Sequence, residues 1–139
     1  PCPTLFRSCN LHEEGEYSEL VPFAVSSNLN SNGFRGSEFS EIKPSDTYRI
    51  FMVGGSTMFG AGATSDETTI PGYLQYLLNE KDLGFDIEVV NSGIQGADSN
   101  TELKSIEQKL VRFSPDLIII YDGWNDLRAN NVAMEVKEN

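Results

Sequence analysis

Three residues have types and positions that suit acyl transfer by a serine. Ser56, Gly96 and Asn125 each follow or end an apolar run that is typical of a buried strand. Acyl transfer needs a nucleophile, a base that takes its proton, and donors for the tetrahedral oxyanion. We predict Ser56 as the nucleophile. We predict its own N–H, the Gly96 N–H and the Asn125 side-chain amide as the oxyanion donors.

Alternating strand and helix signals begin at Tyr48 and indicate how these residues are positioned. Apolar runs predict strands at residues 48–53, 86–91 and 117–121. The last run is continuous and typical of a strand buried on both faces. Strands that alternate with helices predict right-handed crossovers and a parallel sheet, as a three-layer α/β/α sandwich. Catalytic residues in such sheets lie at the carboxyl ends of the strands.

Two helices are predicted between these strands. One begins near Pro71, which suits a first helical turn because its missing N–H has no helical acceptor there. The other begins at Ser99, which with Glu102 matches a capping box in which Ser99 caps and Glu102 bonds back. Ser114-Pro115 ends that helix. Its predicted apolar face contains Leu103, Ile106, Leu110 and Phe113.

Residues 1–47 are polar and poorly periodic, and we interpret them as an N-terminal extension before a domain at residues 48–139. Asn32-Gly33 within it is a strong turn signal. Phe34 and Arg35 follow that turn and are candidates to attach it to the domain. For Arg35 we favour a plain surface turn.

Composition excludes several classes of function. The chain has 139 residues and a formal charge of -11, which argues against nucleic acid or an anionic membrane surface as a partner. No apolar run approaches the roughly 18 residues of a membrane span. No residues have metal-ligand spacing, and neither a P-loop lysine nor a full dinucleotide fingerprint is present. We therefore expect no metal and no cofactor.

The start of the chain bears on its compartment. It begins with Pro1 rather than methionine, so we expect a processed or partial product. Cys2 and Cys9 are the two cysteines, and they are either a disulfide or two free thiols. Together these features lean towards an extracytoplasmic or secreted protein, and the compartment is left open.

Three segments together resemble the first three sequence blocks of the SGNH (GDSL-like) hydrolases, in order and spacing. They are Gly54-Gly-Ser-Thr57, Asn91–Gly96 and Gly123-Trp-Asn-Asp126. The resemblance covers residues 48–126 and implies a flavodoxin-like fold. It also implies that Ser56 is the nucleophile and that Gly96 and Asn125 are oxyanion donors. Gly55 departs from the family, which usually has aspartate there. The preceding Asn-Gly-Phe-Arg-Gly is similar to a leader that some members carry.

The base of that family is the histidine of an Asp-x-x-His block, and this sequence does not contain one. Its single histidine is His12, in the acidic N-terminal extension. A catalytic base must lie within hydrogen-bond reach and be held in orientation, so we interpret His12 as solvated. We expect this chain to be the N-terminal part of a larger hydrolase with a truncated sheet. In that case the third strand has an unpaired edge or an uncovered face.

The resemblance implies an ester hydrolase acting on a small-molecule or carbohydrate ester through a Ser56 acyl-enzyme. Short-chain or carbohydrate O-acyl esters are favoured because no apolar lid segment is visible. The alternatives are a non-catalytic SGNH-like binding module and a flavodoxin-like domain that binds an anion. Asn91 and Asp126 are interpreted as loop-fixing residues, and Trp124 as a pocket wall or a packing aromatic. Substrate identity, hydrolysis against acyl transfer, and oligomeric state are left open.

Overall fold

The computed structural model describes residues 29–128 of the chain. Its strands are β1 (Thr47–Gly54), β2 (Asp86–Asn91) and β3 (Leu117–Tyr121). All three form one sheet in the order β2-β1-β3, and β1 runs parallel to both neighbours. The predicted second and third strands match these bounds, and the first is one residue longer at each end. The α/β class with a parallel sheet is therefore confirmed.

Helices cover both faces of this sheet. They are α1 (Ser56–Phe59), α2 (Ile70–Asn79) and α3 (Ser99–Gln108), followed by a 3-10 helix at Leu110–Phe113. Residues 124–128 are also helical. Within the described residues, no helix is long and apolar enough to cross a membrane.

The side chains of alternate residues in β1 pack into two separate hydrophobic cores. On one face Ile50 and Met52 pack with Met58 of α1, and Leu74 and Leu78 of α2 pack against them. On the other face Phe51 and Val53 lie in a second core with Phe34 from the segment before β1, Val90 of β2, and Leu110 and Phe113 of the 3-10 helix. Burial on both faces explains why β1 is a continuous apolar run. This arrangement is the three-layer sandwich that the sequence predicts.

The segment before β1 packs on the domain. Phe34 is 3% exposed, and its ring centroid lies 5.5 Å from that of Phe51. Arg35 is 5% exposed, so our interpretation of it as a plain surface residue is wrong. The turn itself is confirmed: Gly33 has φ +75°, and its N–H donates to the Asn30 carbonyl at 2.9 Å.

Arg49 in β1 is fully buried, which the sequence pattern does not predict. Its Nε donates to Glu88 of β2 at 2.5 Å. Its Nη1 donates to the Phe113 carbonyl at 2.7 Å, and its Nη2 to the Ser40 carbonyl at 2.8 Å. Because each donor has an acceptor, the guanidinium ties two strands and two connecting segments together at the amino end of the sheet.

The start and apolar face of α3 differ from the prediction. The N-cap is Asp98, whose side chain accepts from the Thr101 N–H, so the predicted Ser99 cap is wrong. Asp98 takes that role because Ser99 bonds elsewhere, as described below. Leu103 is 52% exposed, which contradicts its predicted place on the apolar face. The helix also ends at Gln108, so Leu110 and Phe113 reach the core from the 3-10 helix.

The two edges of the sheet differ in how their backbone groups are hydrogen-bonded. At β2 the side chain of Gln75 donates to the Ile87 carbonyl at 2.9 Å and accepts from the Val89 N–H at 2.7 Å. At β3 no other strand among residues 29–128 pairs with the outer edge, and Ile120 is 60% exposed. The prediction of burial on both faces of β3 is therefore wrong for the described residues. The expected unpaired edge is confirmed there.

Candidate active site

The three sequence blocks meet at the carboxyl edge of the sheet. Gly54 at the end of β1 pairs with Tyr121 at the end of β3. The Gly54 carbonyl also accepts from the Ile94 N–H at 2.9 Å, which brings the loop after β2 against the end of β1. Parallel strands end at one edge, so the polar residues that follow each strand are collected there.

Ser56 is the first residue of α1 and is exposed. Its backbone N–H lies in the first helical turn, where no carbonyl of the helix is available to accept from it. Both the hydroxyl and the N–H of this residue are thus placed where a ligand can reach them. The nucleophile and donor roles of Ser56 stay predictions.

Gly55, which precedes Ser56, has no room for a side chain. A Cβ atom on Gly55 would lie 2.8 Å from Asn125 Nδ2 and 3.6 Å from the Ala97 carbonyl oxygen. An aspartate at residue 55 would therefore collide with the amide of Asn125 as it is placed here. Glycine at residue 55 leaves the space that this placement of the Asn125 amide uses.

Asn125 is held by a single strong contact. Its Nδ2 donates to the Ala97 carbonyl at 2.6 Å. An amide nitrogen carries two hydrogens, so this bond fixes the orientation of the amide and leaves one donor for a ligand. Asn125 is only half-buried, in keeping with a donor at the edge of the sheet.

Gly96 precedes Ala97 and lies in the turn that places the Ala97 carbonyl within hydrogen-bond distance of Asn125. It has φ +77°, in the left-handed region that favours glycine, and nothing lies within 4 Å of a Cβ atom built on it. The residue is exposed. All three predicted residues are therefore part of the Gly55–Asn125–Ala97 contact or adjacent to it in sequence. The donor role of Gly96 stays a prediction.

Asn91 and Gly93 fix the second block against α1. Asn91 donates from Nδ2 to the Phe59 carbonyl at 3.2 Å and accepts from the Gly93 N–H at 3.1 Å. A Cβ atom on Gly93 would lie 2.2 Å from the Phe59 N. The interpretation of Asn91 as a loop-fixing residue is confirmed.

Arg35 fixes the other end of the first block, a role that the sequence interpretation missed. Its Nη1 donates to the Phe59 carbonyl at 3.1 Å and to the Gly60 carbonyl at 2.7 Å. Its Nε donates to Asp66 at 2.7 Å. These bonds supply donors to carbonyls at the end of α1, where no helical N–H is available to them. The leader-like Asn-Gly-Phe-Arg-Gly segment was the available signal.

Four acidic side chains lie in the third block or on the segments beside it. Asp126 accepts from the Ser99 N–H at 3.2 Å and from the Ser99 hydroxyl at 2.5 Å, and the hydroxyl bond is the main cause of its lowered pKa. The Thr101 side chain is the main cause of the lowered pKa of Asp98. Glu102 is 3% exposed, and burial, followed by the charge of Asp122, raises its pKa to about 7. Asp126 therefore fixes the loop, and its interpretation as a loop-fixing residue is confirmed.

The remaining predicted features either lie apart from Ser56, Gly96 and Asn125 or fall outside the described residues. Trp124 is 73% exposed, so the packing-aromatic alternative is not seen within residues 29–128. A cleft of about 210 Å³ lies beside β2, and Ser56, Gly96 and Asn125 do not line it. No group of the described residues can hold a metal ion. The residues His12, Cys2 and Cys9 lie outside the described part of the chain.

Comparison with known proteins agrees with the three blocks and the sheet that positions them. Residues 52–139, more than half of the chain, match the GDSL-like Lipase/Acylhydrolase family. No curated protein matches the chain significantly. The matched region contains the ends of all three strands, Ser56 and the loops after β2 and β3. The chain belongs to the GDSL-like lipase/acylhydrolase family.

Proposed function

We propose that this chain carries the nucleophile and the oxyanion donors of a serine-dependent ester hydrolase. The observation that supports this most is the position of Asn125. Its Nδ2 is 2.8 Å from where a Cβ of Gly55 would lie and is bonded to the Ala97 carbonyl, which follows Gly96. The Asn125 amide therefore lies against the first block and is bonded to the residue that directly follows the second block, beside Ser56.

The proposed reaction uses two acyl-transfer steps. Ser56 Oγ attacks the ester carbonyl carbon while a base takes the hydroxyl proton. The Ser56 N–H, the Gly96 N–H and the free hydrogen of Asn125 Nδ2 stabilise the oxyanion. Collapse of the tetrahedral intermediate expels the alcohol, which receives the proton from the base. Water activated by the same base then attacks the acyl-enzyme, and the acid leaves with Ser56 restored.

The base is proposed to be a histidine oriented by an aspartate, both supplied by residues that follow Asn139. Family membership motivates this proposal, because the family's Asp-x-x-His block is not among the 139 residues. His12 is the alternative within the chain. A His12→Ala variant of the full-length protein separates the two sources: activity is retained if the base follows Asn139 and lost if His12 is the base.

The substrate is proposed to be a short-chain or carbohydrate O-acyl ester. The exposed ring of Trp124, next in sequence to Asn125, is proposed to contact it as a flat apolar surface. The test is hydrolysis of p-nitrophenyl acetate, p-nitrophenyl palmitate and an acetylated xylo-oligosaccharide by the full-length protein. Preference for the acetyl substrates supports the proposal, and preference for palmitate contradicts the short-chain assignment. If the protein is folded and hydrolyses none of these esters, the proposal of an ester hydrolase is contradicted and a binding module is favoured.

A further inference from the structure

The helical residues 124–128 carry Asn125, and few contacts hold them on the domain. Trp124 is 73% exposed and Leu127 is 59% exposed, so the large apolar side chains of this segment are mostly unpacked in the described part of the chain. Within that part, the hydrogen bonds from this segment to other segments come from two side chains, Asn125 and Asp126. The position of the Asn125 amide therefore depends on these bonds.

Both side chains bond to the same short segment, the three residues that follow the second block. Asn125 Nδ2 donates to the Ala97 carbonyl at 2.6 Å. The Asp126 carboxylate accepts from the Ser99 hydroxyl at 2.5 Å, and the Ser99 N lies 3.2 Å from each of its oxygens. The hydroxyl bond is the largest cause of the lowered pKa of Asp126, so the carboxylate is ionised at neutral pH and these bonds are charge-assisted.

The hydroxyl of Ser99 is not needed to begin α3. Asp98 is the N-cap, and its side chain accepts from the Thr101 N–H at 2.9 Å. Ser99 is the first residue of the helix, and among the described residues its hydroxyl has one hydrogen-bond partner, which is Asp126. Alanine is favourable in a helix, so loss of the hydroxyl should not weaken α3. Removing the hydroxyl therefore tests the link to the third block separately from the stability of the helix.

The bonds from Ser99 fix the backbone that carries the predicted oxyanion donor. The bond to the Ala97 carbonyl sets the direction in which the Asn125 amide faces, but the location of the amide also depends on its backbone. Asp126 is the next residue, so its bonds to Ser99 hold that backbone beside Ala97. Without them the short helix would be held to this segment by Asn125 alone, and the amide would move with the helix.

We propose that Ser99 is a positioning residue that holds Asp126, and with it the backbone of the third block, so that the free hydrogen of the Asn125 amide faces the substrate oxygen. This inference rests on the proposed function, in which Asn125 is an oxyanion donor. Ser99 acts through Asp126 and Asn125, and it contacts neither the substrate nor Ser56.

The first test compares wild type, Ser99→Ala and Ser99→Thr in the full-length protein, with p-nitrophenyl acetate as the substrate. Ser99→Ala removes the hydroxyl bond, so we expect kcat to fall by about threefold to thirtyfold with little change in KM, as for a displaced transition-state donor. Ser99→Thr retains a hydroxyl and should recover most of the wild-type kcat. Asn100→Ala, an exposed change at the next residue, should retain wild-type kinetics.

Urea denaturation of the same variants separates positioning from a general loss of stability. Because Asp98 still caps α3, the midpoint should be nearly the same in wild type, Ser99→Ala and Ser99→Thr. A wild-type kcat in Ser99→Ala overturns the inference. A lowered kcat that Ser99→Thr does not recover, or that appears only with a lowered urea midpoint, also overturns it.

NMR measures the link to Asn125 without relying on activity. The side-chain amide resonances of Asn125 are assigned from their loss in Asn125→Ala and followed in the Ser99 variants. A shift in Ser99→Ala that is small in Ser99→Thr supports the inference, and unchanged resonances in Ser99→Ala overturn it. If the amide shifts but fluorophosphonate never labels Ser56 in wild type, the proposed function fails while the coupling of Ser99 to Asn125 stands. If Ser56 is labelled equally fast in wild type and Ser99→Ala, the inference fails and the proposed function stands.

Discussion

The side-chain amide of Asn125 occupies the space that a side chain on Gly55 would need. The two residues come from the first and third blocks, and the distance between Nδ2 and the Cβ position is 2.8 Å. Real Cβ atoms essentially never approach a heavy atom so closely, so residue 55 and the amide cannot both take ordinary positions unless residue 55 is glycine. The family's usual aspartate is therefore incompatible with this placement of Asn125.

Gly55→Ala is expected to reduce activity by displacing the Asn125 amide. Moving an oxyanion donor should lower kcat by roughly tenfold to a hundredfold, with a smaller change in KM. Steady-state kinetics on the full-length protein measure this. The control is Gly62→Ala: φ is +84° there, but nothing lies within 4 Å of a Cβ atom. We expect it to lower the free energy of unfolding by about 1 kcal/mol and to leave kcat unchanged. Equal kcat values for the two variants would contradict the account.

Asn125→Ala is expected to remove one transition-state donor. Loss of such a donor typically lowers kcat by about 10²–10³. KM should change little, because the bond strengthens as charge develops on the substrate oxygen. Asn100→Ala on the exposed side of α3 is the matched control and should retain wild-type kinetics. A rise in KM alone would instead identify Asn125 as a binding residue.

The sequence predicts well those elements whose signals are local. Each apolar run became a strand within one residue, and Pro71 lies in the first turn of α2. What it missed depends on contacts between distant segments. Arg35 is buried because carbonyls at residues 59 and 60 accept from it, and Arg49 because of Glu88 and Phe113. A pattern along the chain does not contain these partners.

The helix cap shows the same limit at the site. Asp98 and Ser99 are both good N-cap residues, and the spacing to Glu102 favoured Ser99. Asp126, from the far side of the third block, binds Ser99 and leaves Asp98 to cap. Glu102 is 3% exposed, and its Oε1 has no hydrogen-bond partner among the described residues. One long-range contact therefore accompanies the change of cap from Ser99 to Asp98.

Asp98→Ala tests this assignment of the cap. It should lower the free energy of unfolding by about 1 kcal/mol at pH 7, the usual value of a lost N-cap. The Thr101 bonds lower the pKa of Asp98 in the folded state, so its contribution is present above its unfolded pKa of about 3.8. The contribution is lost as the pH falls through the lowered folded value. Urea denaturation at neutral and at acidic pH measures the difference. Equal destabilisation by Asp98→Ala at both pH values would contradict the assignment.

Arg35→Gln tests whether the leader segment fixes the first block. The change removes a buried charge partner of Asp66 and donors to two carbonyls. We expect a loss of roughly 2–4 kcal/mol in the free energy of unfolding. Arg112→Gln is the control, because its 3.9 Å contact with Glu41 joins two exposed side chains. Such a pair contributes at most about 1 kcal/mol. Similar losses for both variants would contradict the anchoring role of Arg35.

The proposed function requires Ser56 to be a nucleophile whose oxyanion is stabilised by Asn125 and Gly96. The most direct test is fluorophosphonate labelling of the full-length protein, with the adduct located by mass spectrometry and Ser56→Ala as the control. We expect one stoichiometric adduct on Ser56, none in Ser56→Ala, and much slower labelling in Asn125→Ala. A folded protein that is not labelled, or an adduct on another residue, would contradict it.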